Sequence, residues 1–171
     1  SRLEASALRE LVTQPAVQQR FGFDAEVANG IVKVIDDTAV AWGIDGADRE
    51  RWGAGTNPDR TWRQALDRAL TGVFYSDSPV RVVAGVAPLD GVEGQDATPV
   101  GLLAALIDRI AAIRGMLGDP QPMSAWAATI ATAVRLLAAP GWDEEWQWVQ
   151  LGRLPTETFP SPAESGPPPP G

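Results

Sequence analysis

Apolar residues recur every three or four positions along most of this chain, which is the spacing of one face of an α-helix. The clearest case is a predicted helix over residues 98–117, whose apolar face is Leu103, Leu106, Ile110, Ile113 and Leu117. A predicted first helix over residues 2–12 has the face Leu3, Ala7, Leu8 and Leu11. The pattern therefore predicts a mainly α-helical fold.

Two aspartates mark further helix starts, because Asp is a favoured N-cap residue. Asp24 predicts a helix that continues to about Asp36, although the β-branched run IVKVI within it leaves a strand as the alternative. Asp45 predicts a short helix that is ended by Gly53.

The most distinct helix start is Thr61, because Gln64 follows three residues later and completes the capping-box pattern. The apolar face of the helix that follows is Trp62, Leu66, Leu70 and Val73. This helix lies in a stretch, residues 42–75, that holds three of the seven Trp residues and five Arg residues. The rest of the chain is expected to pack around it.

Two more helices are predicted towards the carboxyl end. Ser124 predicts the start of the first, whose apolar face is Trp126, Ile130, Val134 and Leu137. Pro140 and Gly141 end it. The acidic residues 143–145 suit the positive end of the last helix, whose apolar face is Trp142, Trp146 and Val149.

The predicted architecture is a bundle of about six helices with at most a minor β-hairpin. The candidate for this hairpin is residues 80–87, VRVVAGVA. The helical domain is expected over residues 1–154. Residues 155–171 are rich in Pro and are expected to form an extended, mobile tail.

The formal net charge is −8 and no segment is basic, so an autonomous DNA-binding domain is not predicted. The lack of Cys and His excludes disulfides, thiolate metal sites and Ser/His or Cys/His catalytic pairs. A reducing cytoplasm is compatible with this composition, and no apolar run is long enough to cross a bilayer. No cofactor is predicted. The first residue is not Met, which fits a piece of a longer protein.

Arg alternates with Trp in residues 42–75, a combination that can stack bases and hold phosphates. The candidate contact residues for DNA or another subunit are Arg49, Arg51, Arg60 and Arg63. The competing interpretation is a solvated helix surface, because five acidic residues balance the five Arg there. The Trp residues are expected in the core.

Carboxylates suggest two kinds of metal chemistry. Asp90, Glu93 and Asp96 lie in a Gly-containing segment, but their spacing fails the calcium-loop pattern, so an acidic loop is expected. The sequence contains no phosphate-binding loop and no nucleophile elbow. A metal-dependent hydrolase built on carboxylates stays open from the residues alone.

Several short motifs in a fixed order resemble the RecC family, the gamma subunits of exodeoxyribonuclease V. The motifs are RFGF (20–23), AWGID (41–45), DRERWG (48–53), NPDRTWRQALDRALTGV (57–73), PLDGVEGQDA (88–97), Trp-Ala (126–127) and DEEW (143–146). Together they cover roughly residues 15–150. The sequence departs from the family pattern at Trp52, where Phe is usual, and in extra residues around Pro58, which leaves the loop details open.

The resemblance implies an internal, non-catalytic helical subdomain of a helicase-like scaffold without ATPase motifs. It further implies partners that resemble RecB and RecD, and a role in homologous recombination and DNA repair. DNA ends would be reached through the assembled complex, with weak or no DNA binding by this piece alone. The class that competes with this interpretation is a free-standing helical protein-interaction module with an acidic surface and a Pro-rich tail.

Overall fold

The computed structural model describes residues 2–75, 82–83, 85–141 and 144–158, and describes side chains for all of these except 124 and 154–158. These residues form eight α-helices and no β-strand. The helices are α1 Ala5–Val12, α2 Pro15–Phe21, α3 Ala25–Asp37, α4 Gly46–Glu50, α5 Trp62–Tyr75, α6 Ala97–Gly118, α7 Met123–Leu137 and α8 Glu145–Thr158. A 3-10 turn, Gly94–Asp96, precedes α6. The mainly α-helical fold is confirmed, with eight helices where about six were predicted.

Helix α6 is the centre of the bundle, because α3, α5 and α7 all pack against it. Its buried residues are Val100, Leu103, Leu106, Ile107, Ile110 and Ile113. The predicted face is therefore confirmed except at its end, where Leu117 is 37% exposed. None of the helices in the described part of the chain is both long and apolar enough to cross a membrane.

Two helix starts were predicted correctly from their N-cap residues. The Asp24 carboxylate accepts a hydrogen bond from the Val27 backbone N–H at 2.9 Å, so the strand alternative for this segment is wrong. The Asp45 carboxylate accepts one from the Asp48 N–H at 2.8 Å. Gly46 begins α4 against a neighbouring loop, where an added Cβ would lie 2.1 Å from the Thr56 carbonyl oxygen.

The predicted capping box at α5 does not form. The Thr61 hydroxyl donates to the Pro58 carbonyl oxygen at 2.6 Å. The Gln64 side chain accepts from the backbone N–H of Arg60, not from that of Thr61. The turn before the helix places the Pro58 carbonyl oxygen and the Arg60 N–H within hydrogen-bonding distance. Both side chains therefore bond to the turn and not to each other's backbone.

The buried face of α5 also differs from the predicted one. Its buried residues are Trp62, Ala65, Leu66, Ala69 and Gly72, whereas Leu70 is 36% exposed. The cause is the loop before α6, which lies directly on small residues of α5. A Cβ at Gly72 would sit 3.0 Å from the Leu89 carbonyl oxygen. Small side chains therefore allow the loop to lie close to α5. Hydrophobic periodicity does not reveal this contact, because it marks large apolar residues.

The start of the chain is not helical at Leu3. This residue has a φ of 52° and is buried, and α1 begins two residues later. Its carbonyl oxygen accepts a hydrogen bond from the Trp62 indole N–H at 2.8 Å. Ala7, predicted on the buried face, is exposed, because the buried side of α1 is formed by Leu8 and Val12.

The two carboxyl-terminal helices expose part of the apolar faces predicted for them, although Trp126 and Leu137 of α7 are half-buried. Helix α7 begins at Met123, with Pro122 as its N-cap, so the start predicted at Ser124 is one residue late. Its buried residues are Ala131 and Ala133, while Ile130 is 48% exposed. On α8, Trp146 and Val149 are 59% and 52% exposed; Trp142 lies outside the described residues.

Two further predictions concern segments that are only partly described. In the strand candidate 80–87, Val83 and Val86 form an isolated antiparallel bridge with backbone bonds of 2.9 and 2.8 Å. Residues 80, 81 and 84 lie outside the described part. Helix α8 continues to Thr158, four residues past the predicted end of the helical domain at residue 154. Residues 159–171 are also outside the description.

Candidate functional site

Arg49 is the most buried of the four candidate arginines and is 9% exposed. Its guanidinium makes five hydrogen bonds to backbone carbonyl oxygens, which equals the number of N–H donors that the group has. The Nε and Nη2 atoms donate to Trp42 at 3.3 and 3.0 Å. Nη1 donates to Asn57 and Asp59 at 3.0 and 2.7 Å, and Nη2 also donates to Arg60 at 3.1 Å. Arg49 therefore holds two chain segments together from inside.

Trp42 lies between two cations. The guanidinium carbons of Arg2 and Arg49 are 5.4 and 5.1 Å from its ring centroid, within cation–π range. The Arg2 backbone is fixed as well, since the Gly43 N–H donates to its carbonyl oxygen at 2.8 Å. The Trp42 ring thus already contacts two cations of its own domain, so it is a poor platform for stacking of a nucleic-acid base.

The segments that Arg49 joins are also paired to each other through their backbones. Three hydrogen bonds of 2.9–3.0 Å connect them: Ala41 N–H to Arg60 O, Trp62 N–H to Gly43 O, and Arg63 N–H to Ile44 O. We call Arg49 with residues 2–3, 39–44 and 57–63 the Arg49 junction.

Three non-glycine residues of the Arg49 junction have left-handed backbone conformations. They are Leu3, Ala39 and Arg60, with φ of 52°, 50° and 58°. Such a conformation costs roughly 1 kcal/mol per residue. The surrounding hydrogen bonds must offset this cost, so the junction is expected to be rigid rather than adaptable.

Arg60 and Arg63 present their guanidiniums at the surface. Arg60 is exposed, and its Nε donates to the Ala39 carbonyl oxygen at 3.2 Å. The Arg63 side chain is 48% exposed and forms a 3.1 Å ion pair with Asp108, which is 60% exposed. Exposed pairs of this kind contribute little to stability. Both cations can therefore exchange these partners for an external acidic group at small cost.

Arg51 is exposed and lies beside a charge pair that the sequence did not reveal. Asp48 on α4 forms a salt bridge with Arg114 on α6, and the side chains are only 9% and 19% exposed. The same Asp48 oxygen accepts the Ile44 N–H at 3.0 Å. Because 66 residues separate the two partners, no local spacing rule could have indicated this contact.

The four candidate arginines therefore do not form one cluster of equivalent surface cations. The structure places Arg49 inside the junction, Arg60 and Arg63 at its surface, and Arg51 beside the α4–α6 contact.

Helix capping explains two of the three acidic residues in the loop before α6. Glu93 and Asp96 form a reciprocal capping box in which the Glu93 N–H donates to the Asp96 carboxylate at 3.0 Å. Lys33 lies 3.6 Å from the same carboxylate. Across residues 2–75, 82–83, 85–141 and 144–158, no group of three or more metal-ligating side chains is placed to hold an ion.

Comparison with known proteins gives one consistent result. The profile of the RecBCD enzyme subunit RecC fourth domain matches residues 1–159. The RecBCD enzyme subunit RecC of Mycobacterium tuberculosis (strain ATCC 25618 / H37Rv) is 33% identical over 153 residues, which is 90% of this chain and 14% of that protein. The RecC subunit of Mycolicibacterium smegmatis is 27% identical over 152 residues, with 89% and 14% covered.

A more distant relative agrees. The RecC subunit of Escherichia coli (strain K12) is 26% identical over 126 residues, which is 74% of this chain and 11% of that protein. This chain thus spans about one seventh of the length of the mycobacterial relatives. Because the profile of the RecC fourth domain matches nearly the whole chain, the chain belongs to the RecC family and corresponds to the fourth domain of that subunit.

Proposed function

We propose that this chain is a non-catalytic, architectural subdomain of a RecC subunit, which contributes to subunit packing and to the shape of the DNA channel in a RecBCD complex. Its expected partners are RecB-like and RecD-like subunits, with DNA ends reached through the assembly. The observation that carries the proposal is the exposure of apolar residues on α7 and α8. Met123, Ile130, Val134, Trp146 and Val149 are between 37% and 68% exposed.

Apolar side chains at helical spacing are normally covered by another element. On α7, Met123, Ile130 and Val134 are spaced seven and four residues apart, so they share one face. Exposed apolar surface of this kind marks protein–protein contact. In a domain that spans about one seventh of its mycobacterial relatives, the rest of the complex is the natural source of the covering surface.

The candidate arginines divide into two roles under this proposal. Arg49 is saturated by internal carbonyl groups and acts as a positioning residue for the Arg49 junction. Arg51, Arg60 and Arg63 remain the residues proposed to meet DNA or a neighbouring subunit. Their number is small for a chain with net charge −8, which favours contact within an assembly over binding of free DNA.

Glutamate substitutions on the exposed apolar faces are expected to disrupt assembly of the complex. The double variant Ile130→Glu and Trp146→Glu, made in the full-length parent subunit, should lower the yield of the three-subunit complex at least tenfold, since a desolvated charge opposes burial of these faces. Size-exclusion chromatography of co-expressed subunits measures this yield.

The matched control is Ala128→Glu with Gln150→Glu, which adds carboxylates at exposed positions of the same two helices. Full assembly of both double variants would remove α7 and α8 from the proposed interface. If the chain were a free-standing interaction module, it would bind a different partner. Even the unmodified chain would then fail to assemble with RecB-like and RecD-like subunits.

Charge reversal of the two surface arginines at the junction is expected to weaken contact without unfolding the domain. Arg60→Glu with Arg63→Glu should reduce either DNA-end affinity or subunit assembly about tenfold in the complex, because each reversal replaces an attraction with a repulsion. Filter binding at two salt concentrations separates the DNA effect from the assembly effect. Arg109→Glu, an exposed arginine on α6, serves as the control; unchanged end binding and assembly in the double variant would refute this role.

A further inference from the structure

Helix α8 lies outside the core of the domain. The core extends from Leu3 to Ile110, and the half-buried side chains packed against it reach as far as Leu137 on α7. Among the α8 side chains that the structure describes, residues 145–153, none is buried; Trp148 and Leu151 are half-buried and the others are exposed. Because burial of an apolar face supplies most of the stability of a helix in a protein, α8 is held less firmly than α6.

Helix α7 is fixed to the body of the domain, whereas α8 rests mainly on α7. Helix α7 packs on α6 and α2. Near its carboxyl end, the Arg20 side chain donates to the Arg135 carbonyl oxygen at 2.9 Å, and the Ala139 backbone N–H donates to the Ala16 carbonyl oxygen at 2.8 Å. The main contact of α8 in the described part of the chain is with α7. The boundary between the fixed body and α8 therefore falls after Ala139.

The residues of α8 also make it a weak helix by itself. Gly152 lies in its interior, where Gly is one of the least favourable residues. Pro155 follows in the same helix and has no backbone N–H to donate to the preceding turn. A helix of 14 residues is marginal in water even when its residues favour helix formation. Contact with other surfaces must therefore keep α8 helical.

The apolar side chains of α8 lie on two opposite faces. Trp148 and Leu151 form the half-buried inner face. Gly152 shares this side and marks it as the one that meets α7, since an added Cβ there would lie 3.2 Å from the Arg135 Nη2 atom. The outer face is exposed and carries Trp146 and Val149. A helix that is apolar on both faces is typical of one that is covered on both sides, and the chain itself covers the inner one.

We propose that α8 is a strap that opens from α7 as a unit while α1–α7 stay folded, and that assembly of the complex holds it closed. Opening uncovers the side of α7 on which Trp148 and Leu151 rest. A surface that covers the outer face stabilises the closed strap by mass action, since the closed helix is the form that presents Trp146 and Val149 together. The opening is a property of this chain, and its control by assembly rests on the proposed function.

Hydrogen exchange of backbone amides tests the opening in the 171-residue chain. Exchange through local opening reports the stability of each segment separately. After correction for intrinsic rates, we expect the amides of residues 149–153 to exchange roughly a hundredfold faster than those of Leu103, Leu106 and Ile107 on α6. Low concentrations of urea should raise the α6 rates but leave the α8 rates nearly unchanged, because the opening of one helix exposes little surface.

Two substitutions on the inner face should change this opening in opposite directions. Trp148→Ala should speed α8 exchange about tenfold or more, because it removes the larger of the two half-buried side chains. Gly152→Ala should slow it about fivefold, because Ala favours the helix and the flexible end of Arg135 can move away from the added Cβ. Neither should alter α6 exchange. Trp146→Ala, on the outer face, is the matched control and should change α8 exchange by less than about twofold in the isolated chain.

Equal protection of α8 and α6 in the isolated chain would overturn the strap, and so would a Trp148→Ala variant in which both helices exchange faster by the same factor. In the assembled complex, exchange of α8 should slow about tenfold or more. An α8 rate that stays the same on assembly would refute control of the strap by the complex. The glutamate variants of α7 and α8 test the interface separately, through the yield of complex. Full assembly of those variants would remove the proposed interface and leave the opening in the isolated chain as measured.

Discussion

Replacing Arg49 with alanine is expected to lower the free energy of unfolding by about 4 kcal/mol. Hydrogen bonds to a charged group contribute roughly 1.5–3 kcal/mol each when buried, and several made by one residue are not additive. Four carbonyl groups share the five bonds of this guanidinium. Without them, the left-handed Arg60 also loses one of the bonds to its carbonyl oxygen, although Ala41 still donates to it. The loss is large for a single substitution.

Urea denaturation followed by circular dichroism measures this change in the free energy of unfolding. Two further variants test whether the geometry of the guanidinium is the cause. Arg49→Lys keeps the charge but offers three donors from one nitrogen, which cannot span carbonyl groups on both segments. It should recover less than half of the lost stability. Arg51→Ala, at an exposed position two residues away, should change the free energy of unfolding by less than about 0.5 kcal/mol. A loss below 1 kcal/mol for Arg49→Ala would mean that the junction holds without its central residue.

Substitution of Trp62 is the second large effect. This side chain is fully buried, and its indole N–H donates to the Leu3 carbonyl oxygen at 2.8 Å. Trp62→Ala should cost about 4–5 kcal/mol, since it leaves a cavity in the core and an unpaired carbonyl group. Trp62→Phe keeps most of the ring and should cost about 2 kcal/mol.

The same thermal or urea unfolding experiment on Trp146→Ala provides the comparison, because Trp146 is 59% exposed on α8. Its removal from the isolated chain should cost less than about 1 kcal/mol. If Trp62 and Trp146 proved equally important, the core described around α5 and α6 would be wrong.

Local chemistry made the helix starts at Asp24 and Asp45 predictable. An N-cap carboxylate needs only a backbone N–H three residues along the chain, so the whole interaction is contained in the sequence window. The same holds for the long apolar face of α6, because period and length both indicate a buried helix. The Thr61–Gln64 pair shows that even so local a pattern is not decisive, since the turn before α5 binds both side chains.

The apolar faces of α7 and α8 show what periodicity leaves undetermined. The spacing correctly indicates that Ile130 and Val134 share a face, but it does not say that the partner belongs to the same chain. Both residues are at least 37% exposed here. A predicted core position and a predicted interface position have the same sequence pattern, and only the fold distinguishes them.

Arg49 shows a different limit of sequence reasoning. Counting acids against bases across residues 42–75 suggested ion pairs on a solvated surface. Its actual partners are backbone carbonyl groups, one of which every residue carries. No side-chain pattern marks such acceptors, so a structural arginine and a DNA-contacting arginine cannot be told apart until the loops are placed.

The attachment of residues 2–3 has a mechanical consequence. The Arg2 carbonyl oxygen is bound by Gly43 and the Leu3 carbonyl oxygen by Trp62, and both anchors precede the first residue of α1. A pulling force that enters the domain at Arg2 is therefore transmitted to the Trp62 side chain before it can unwind α1. The domain is expected to resist tension through its core and to yield as one unit.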